Sequence, residues 1–248
     1  MTSKFKMSSV GELKFFLGFE VNQQREGTFI NQAKYTQDML KRFKLSDVKP
    51  ASTPMPVKCQ LDIDPNGKAV DQKESHFVVV KRIFRYLAHT PNFGLWYPRG
   101  SNFNLMGYSD SDWAGDKVDR KSTSRGCQFL GCSLVSWSSK KQSCVSLSCT
   151  EAEYVAAGSC CAQLLWMRQT LKDYSVICDK VPLWCDNESA IRISLNSVRH
   201  FKMKHIEIRS HFIRDHIRRG EIELNYVNTP DNLADIFTKP LDEARFLS

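Results

Sequence analysis

Four acidic residues fall where a strand ends or a helix begins, positions at which a carboxylate is held rigidly while still facing solvent. They are Asp110, Glu153, Asp186 and Asp235. Asp110 closes the apolar stretch that starts at Phe103, and Asp186 follows the apolar run Val181–Cys185. Glu153 lies in the first turns of a long helical pattern, and Asp235 lies about one turn into the last one. Open α/β sheets place their sites at such ends. Carboxylates that converge there cannot all ionise cheaply without a counter-charge. A hard divalent cation supplies it: Mg²⁺ prefers carboxylate and water oxygens and shares its sphere with substrate phosphate. Two such ions about 3.5–4 Å apart clamp the attacking and leaving oxygens of a phosphodiester displacement. A plainer reading exists for each acid. A strand-end Asp forms turns, and Asp186-Asn187 suits a helix cap. Glu151 and Glu153 each fit a capping box, with Ser148 and Thr150 respectively, and spacing alone does not choose between them.

The elements that must position these acids follow from periodicity. From Phe103 the pattern predicts strands at 103–108, 127–130 and 134–137, a helix over about 151–171, and a strand at 181–185. A short helix over 188–195, a basic helix over 205–219 and a strand over 221–227 come next. Thr229-Pro230-Asp231 opens a last helix, with Thr as N-cap, Pro first and an acid in the first turn, and Pro240 stops it. Three strands joined by short turns imply an antiparallel meander, and the later alternation implies parallel additions to the same sheet. Before Phe103, residues 13–21 read as one strand, paired through Arg25-Glu26-Gly27 with 28–30. Residues 32–43 read as a helix with Tyr35, Met39 and Phe43 on its apolar face. A Pro-rich loop, a polar linker over 62–72, a helix capped by Ser75 and a strand at 95–97 complete this half.

A formal net charge of +8 favours a polyanionic partner, of which nucleic acid is the commonest. The nine cysteines contain no C-x-x-C pair, which argues against a structural zinc site. They read as reduced core thiols of an intracellular protein (a cytoplasmic particle or the nucleus), because no signal-peptide pattern precedes them. No apolar stretch approaches the length of a membrane span. His205, His211 and His216 lack the H-E-x-x-H pattern and read as helix-surface or capping residues.

Seven blocks, in order, carry a resemblance to a known family. They are Tyr108–Asp116, Arg120–Ser124, Leu134–Gln142, Thr150–Ala157, Leu183–Asn187, Lys204–Arg209 and Leu233–Leu241. Together they resemble the ribonuclease H domain of copia-type LTR retrotransposon Pol polyproteins. Gly11–Gly18 and Tyr35–Leu40 resemble the end of the reverse transcriptase that precedes it. The resemblance implies an α/β chain with an RNase H-like fold, a five-stranded mixed sheet flanked by helices, behind a small α+β reverse-transcriptase remnant. The implied organisation is a remnant over 1–57, a linker or connection over 58–102, the RNase H-like domain over 103–241 and a tail over 242–248. It implies hydrolysis of the RNA strand of an RNA–DNA hybrid, leaving a 3′-hydroxyl and a 5′-phosphate, with two Mg²⁺ ions (or Mn²⁺) held by Asp110, Glu153, Asp186 and Asp235. Ala152-Glu153-Tyr154 is similar to an Ala-Glu-Leu step of such helices, which makes Glu153 the site acid and Glu151 the helix-start acid. The expected nucleic-acid contacts are Arg120, Lys121, Ser122, Ser148, Thr150, Asn187 and Lys204, with Lys140, Lys141 and Lys202 as further basic residues along a backbone track. Other Pol products are further candidate partners.

The chain departs from the family pattern in several places. Cellular ribonucleases H carry a His before the last helix; here Tyr226-Val227-Asn228-Thr229 stands there, similar to copia-type relatives, which implies activity with slower turnover. Asp231 replaces the leading Asn of an Asn-x-x-Ala-Asp motif. Arg125 stands where relatives often have Gly, and Ser197 where many have Pro, both expected to lie outside the four acids. An integrase shares the fold but takes its acids in the order Asp, Asp, Glu, unlike the order here. The alternative to an active nuclease is a catalytically dead relic that binds nucleic acid or nothing. A segment found in relatives is skipped near Asp71-Gln72-Lys73, and the Tyr-Val-Asp-Asp motif that holds polymerase metals is absent. The expectation is therefore no polymerase activity. Primer extension on an RNA template should give no incorporation above background, and incorporation would refute the expectation.

Overall fold

The computed structural model describes residues 12–55, 69–116, 118–195 and 207–237, without the side chains of 69–76 and 207–211. Lys202, Lys204, His205, Ser197, Cys59, Pro240 and the 242–248 tail lie outside the described residues. The chain divides into two compact units, one built from residues up to Met55 with Lys73–Ser101, the other including everything from Asn102 onward.

The N-terminal unit is a four-stranded antiparallel sheet in the order β1-β2-β3-β4: Phe15–Phe16, Phe19–Gln23, Gly27–Asn31 and Gly94–Pro98. The single strand expected over 13–21 is broken, because Leu17 and Gly18 adopt left-handed φ of 49° and 85° and turn β1 back onto β2. Helix α1 (Ala33–Arg42) does not bury the expected face: Ala33, Thr36 and Leu40 point inward, and Tyr35 and Phe43 are half exposed. Within the segment 58–102, residues 69–102 are described. Its strand β4 pairs residue for residue with β3, and helix α2 (Ala69–His89) holds the Pro-rich loop, with Arg82 donating to Thr53 and Arg85 to the Lys49 carbonyl.

The second unit has the architecture read from the sequence. Strands β5 (Leu105–Asp112), β6 (Thr123–Leu130) and β7 (Ser133–Lys141) form the antiparallel meander. Strands β8 (Val181–Cys185) and β9 (Ile222–Tyr226) then add in parallel beside β5, giving the order β7-β6-β5-β8-β9. Helix α3 (Cys149–Asp173) lies across β5 and β6, flanked by α4 (Glu188–Leu195) and α5 (Glu207–Arg218). The buried core joins Tyr154, Cys161 and Leu164 of α3 to Leu183, Ile213, Ile222 and Val181. Helix and sheet approach closely because β5 carries Gly107: a Cβ there would come within 2.9 Å of the Leu164 side chain. The last helix expected from Thr229 is, within the described residues, two 3₁₀ turns, Thr229–Asp231 and Leu233–Phe237. The Thr cap fails because Asn228 is the flanking residue, and it makes no side-chain cap bond.

The eight described cysteines are all free thiols. Cys127, Cys160, Cys161 and Cys185 are core residues, whereas Cys132, Cys144 and Cys149 are exposed, contrary to a uniform core role. Among the described residues no helix is long and apolar enough to cross a membrane. Leu164 is fully buried under the sheet. Leu164→Ala should therefore destabilise the full chain by about 2–5 kcal/mol in chemical denaturation followed by circular dichroism.

Candidate active site

The site forms where the C-terminal ends of β5 and β8 meet the N-terminus of α3. The strand β5 continues two residues beyond Asp110, so Asp110 sits inside its last turn of pleat and is 7 % exposed. Ser111, the next residue, turns to the other face and donates from both its backbone N–H (3.1 Å) and its Oγ (2.9 Å) to Glu153 Oε1. Glu153 is thereby anchored by one oxygen. Its other oxygen, Oε2, is buried without a hydrogen-bond partner among the described residues. Burial, then the neighbouring Asp110 and Asp186, push the Glu153 carboxyl up to about 8, against the pull of the Ser111 hydroxyl.

Local capping decides which acids are free for chemistry. Ser148 Oγ accepts from the Glu151 N–H (3.2 Å), and a Glu151 side-chain oxygen accepts from the Leu147 N–H (2.9 Å), so Glu151 serves the helix start. Glu153, one turn position further, is left facing the strands. The same division holds at β8. Asn187 Oδ1 accepts from the Ala190 N–H (3.0 Å) and caps α4, leaving Asp186 to the cluster. The oxygens of Glu153 and Asp186 and the Cys185 sulfur lie within 4.8 Å of one another. The Cys185 thiol is pushed up to about 12, first by burial and then by Glu153, so at neutral pH it stays protonated and is a poor ligand for a hard cation. An orphaned buried carboxylate oxygen beside a second carboxylate does fit such a cation.

Asp235, buried in the second 3₁₀ turn, is brought to β5 by a residue that sequence reasoning missed. Asn232 is buried, donates from Nδ2 to the Ser109 carbonyl (3.0 Å) and accepts at Oδ1 from the Ala234 N–H (3.1 Å). Its position next to the motif's substituted Asp231 was the available signal. Gln142 was also quoted only as part of a motif. It ties Ser124 of β6 to the Ala152 carbonyl of α3 through Nε2, at 2.9 and 3.0 Å.

The largest departure from expectation is Arg125. The β5–β6 register sets it directly opposite Asp110, and its guanidinium lies 3.7 Å from Asp110 and 4.0 Å from Asp112. Burial lowers its pKa, and Asp112, Asp110, Asp235 and Glu153 draw it back up, so it stands among the acids rather than outside them. Asp112 leans against Gly115, where a Cβ would fall 1.8 Å from its carboxylate oxygen.

Of the expected nucleic-acid contacts, Arg120 is exposed and Lys121 half-buried, with Lys121 3.7 Å from Asp119. Ser122 is fully buried, and its Oγ accepts from the Ala114 N–H. Ser148 and Asn187 have oxygens committed to helix caps, while Thr150 is half-buried at the start of α3 and Lys204 lies outside the described residues. Lys141 is paired with Asp116 and Asp119. Cys149 is exposed as a residue, and partial burial of its thiol, then the charges of Glu153, Asp186 and Asp110, raise its pKa.

A meander of three antiparallel strands, two parallel additions on its β5 side and a carboxylate cluster at the strand ends define an RNase H-like domain. The chain is 34 % identical to the retrovirus-related Pol polyprotein from transposon RE1 of Arabidopsis thaliana, over 99 % of this chain, and 33 % identical to that of transposon RE2 of the same plant over the same share. It belongs to the copia-type retrotransposon Pol polyprotein family. It spans only 19 % of the length of either of these relatives. A profile described as reverse transcriptase (RNA-dependent DNA polymerase) matches residues 1–57. Among solved structures, LC11-RNase H1 in complex with an RNA/DNA hybrid is similar at 13 % identity and a TM-score of 0.40, over 58 % of this chain and 100 % of that one.

The raised Glu153 carboxyl has a thermodynamic consequence. Its ordinary value is 4.5 and its folded value about 8, so between these the folded state holds a proton that the unfolded state has released. Stability contributed by this group therefore falls as pH rises through that window. In chelator-treated buffer the melting temperature of Glu153→Gln should gain on that of the wild type from pH 5 to about 8. Parallel melting curves across that range would show that Glu153 is not a buried titrating group.

Proposed function

We propose that the C-terminal unit is a ribonuclease H that hydrolyses the RNA strand of an RNA–DNA hybrid in a divalent-metal-dependent reaction. The observation that carries this reading is the Glu153 carboxylate, held by one oxygen and bare on the other, beside Asp186 and in the field of Asp110. Family membership supplies the substrate class. Glu153 and Asp186 would hold a Mg²⁺ or Mn²⁺ ion, with Asp110 and Asp235 as the further acids of the cluster. Such ions supply charge for the developing phosphorane oxygens and a more acidic water.

The chain's own residues do the positioning. Ser111 fixes the Glu153 rotamer, Asn187 frees Asp186 from capping, and Asn232 pins the turn that carries Asp235 to β5. The hybrid would be recognised by backbone shape and 2′-hydroxyls rather than by base sequence, with exposed Arg120 and Lys140 as phosphate contacts whose contribution weakens with salt. A second reading, a nucleic-acid-binding relic without catalysis, is favoured by one observation: a guanidinium already stands beside Asp110.

The deciding experiment is cleavage of an end-labelled RNA–DNA hybrid in Mg²⁺ by the wild type and by Asp186→Asn. The expected outcome is internal cleavage of the RNA strand by the wild type alone, with products ending in a 3′-hydroxyl. A folded wild type that cleaves in neither Mg²⁺ nor Mn²⁺ would establish the relic reading instead.

A further inference from the structure

Arg125 is a charged side chain that is 9 % exposed. A guanidinium taken that far from water is tolerated only when opposite charge surrounds it. Its Nε and Nη1 atoms are buried with no hydrogen-bond partner among the described residues, and the nearest carboxylates, at 3.7 and 4.0 Å, are at ion-pair rather than hydrogen-bond distance. What stabilises it is therefore the summed field of Asp110, Asp112, Asp235 and Glu153. The placement is not a matter of a flexible surface side chain. The register fixed by the β5–β6 ladder puts Arg125 and Asp110 on the same face as direct cross-strand neighbours.

The cluster is consequently divided. On the Asp110 side a positive charge is already built into the sheet. On the Glu153–Asp186 side, where Cys185 adds a neutral thiol, a buried carboxylate oxygen is left without a partner. We propose that Arg125 is the resident counter-ion of the Asp110 side, standing in for a second divalent cation, so that the wild-type chain binds one such ion tightly rather than two. A dication entering beside Asp110 meets a guanidinium of like sign 3.7 Å from that carboxylate. One entering between Glu153 and Asp186 meets only negative and neutral groups.

This inference rests on the reading of the cluster as a divalent-ion site, but not on any nuclease activity. Its test is Mn²⁺ binding by the chelator-stripped full chain, read as loss of the free-ion electron paramagnetic resonance signal. Wild type, Arg125→Gln and Arg125→Lys would be compared. The expected result is one tight ion in the wild type and in Arg125→Lys, with affinity for a second ion higher in Arg125→Gln by at least about tenfold. Two equivalent ions in the wild type would overturn the proposal, and this arm needs no variant to fold. Superimposable titrations of wild type and of Arg125→Gln, the latter shown folded by circular dichroism, would overturn it as well. Absence of Mn²⁺ binding in every protein would overturn both this proposal and the metal site it rests on. One bound Mn²⁺ without hybrid cleavage would count against the nuclease reading while leaving the role of Arg125 standing.

Discussion

The closeness of α3 to the sheet governs the rest of the C-terminal unit. Gly107 and Gly126 lie diagonally across the β5–β6 ladder under the helix, where added Cβ atoms would stand 2.9 Å from Leu164 and 3.4 Å from Cys160. With no side chains to hold the layers apart, the first turns of α3 come down onto the end of β5. Only at that separation does Glu153 meet the Ser111 N–H and hydroxyl. A helix lifted by a single methyl group would take the carboxylate out of hydrogen-bond range, and α4 and α5, which pack along the same helix, would lose their register with it.

Much of this could be read without coordinates, and the reasons differ from element to element. The limits of β8 and α4 match the sequence reading because each is a short apolar run closed by a strong punctuator, the Asp186-Asn187 pair. The strand order was legible because three strands joined by short turns have few alternatives, and a parallel addition needs a long crossover. The four acids were legible as candidates, but assigning Glu153 over Glu151 took the family resemblance, since both fit a capping pattern. Contacts between residues far apart in sequence were not legible. Arg125 looked peripheral because it is fifteen residues from Asp110 along the chain, yet the antiparallel register makes them direct neighbours. Asn232 and Gln142 carry no periodic or charge signal; their roles exist only once β5, β6 and α3 are assembled. The N-terminal unit was read less well because its apolar residues do not follow one face: Phe15, Phe16 and Leu17 are all substantially exposed, which defeats an argument from amphipathicity.

Helix ends do a second job in this site. At α3, α4 and the 3₁₀ turns, a neighbouring polar residue takes the capping or tethering hydrogen bond: Glu151, Asn187 and Asn232 respectively. Glu153 and Asp186 are thereby left out of the capping of their own helices, and the backbone N–H from which Glu153 accepts is that of Ser111 on the strand. Had Glu153 or Asp186 capped its own helix, its oxygens would be spent on N–H groups and held at a lower pKa. The Glu153 carboxylate thus keeps one buried oxygen without a hydrogen-bond partner among the described residues.

The parallel edge of the sheet imposes an order on synthesis. β5 and α3 are made before β9 and the turn bearing Asp235, and Asn232 must then close onto Ser109, which was made long before. The carboxylate cluster is therefore incomplete on any chain that stops short of Asp235, and its final member arrives only when the sheet's far edge has been laid down. For a polypeptide whose family members are much longer, this ties assembly of the site to faithful translation through to its last described turn.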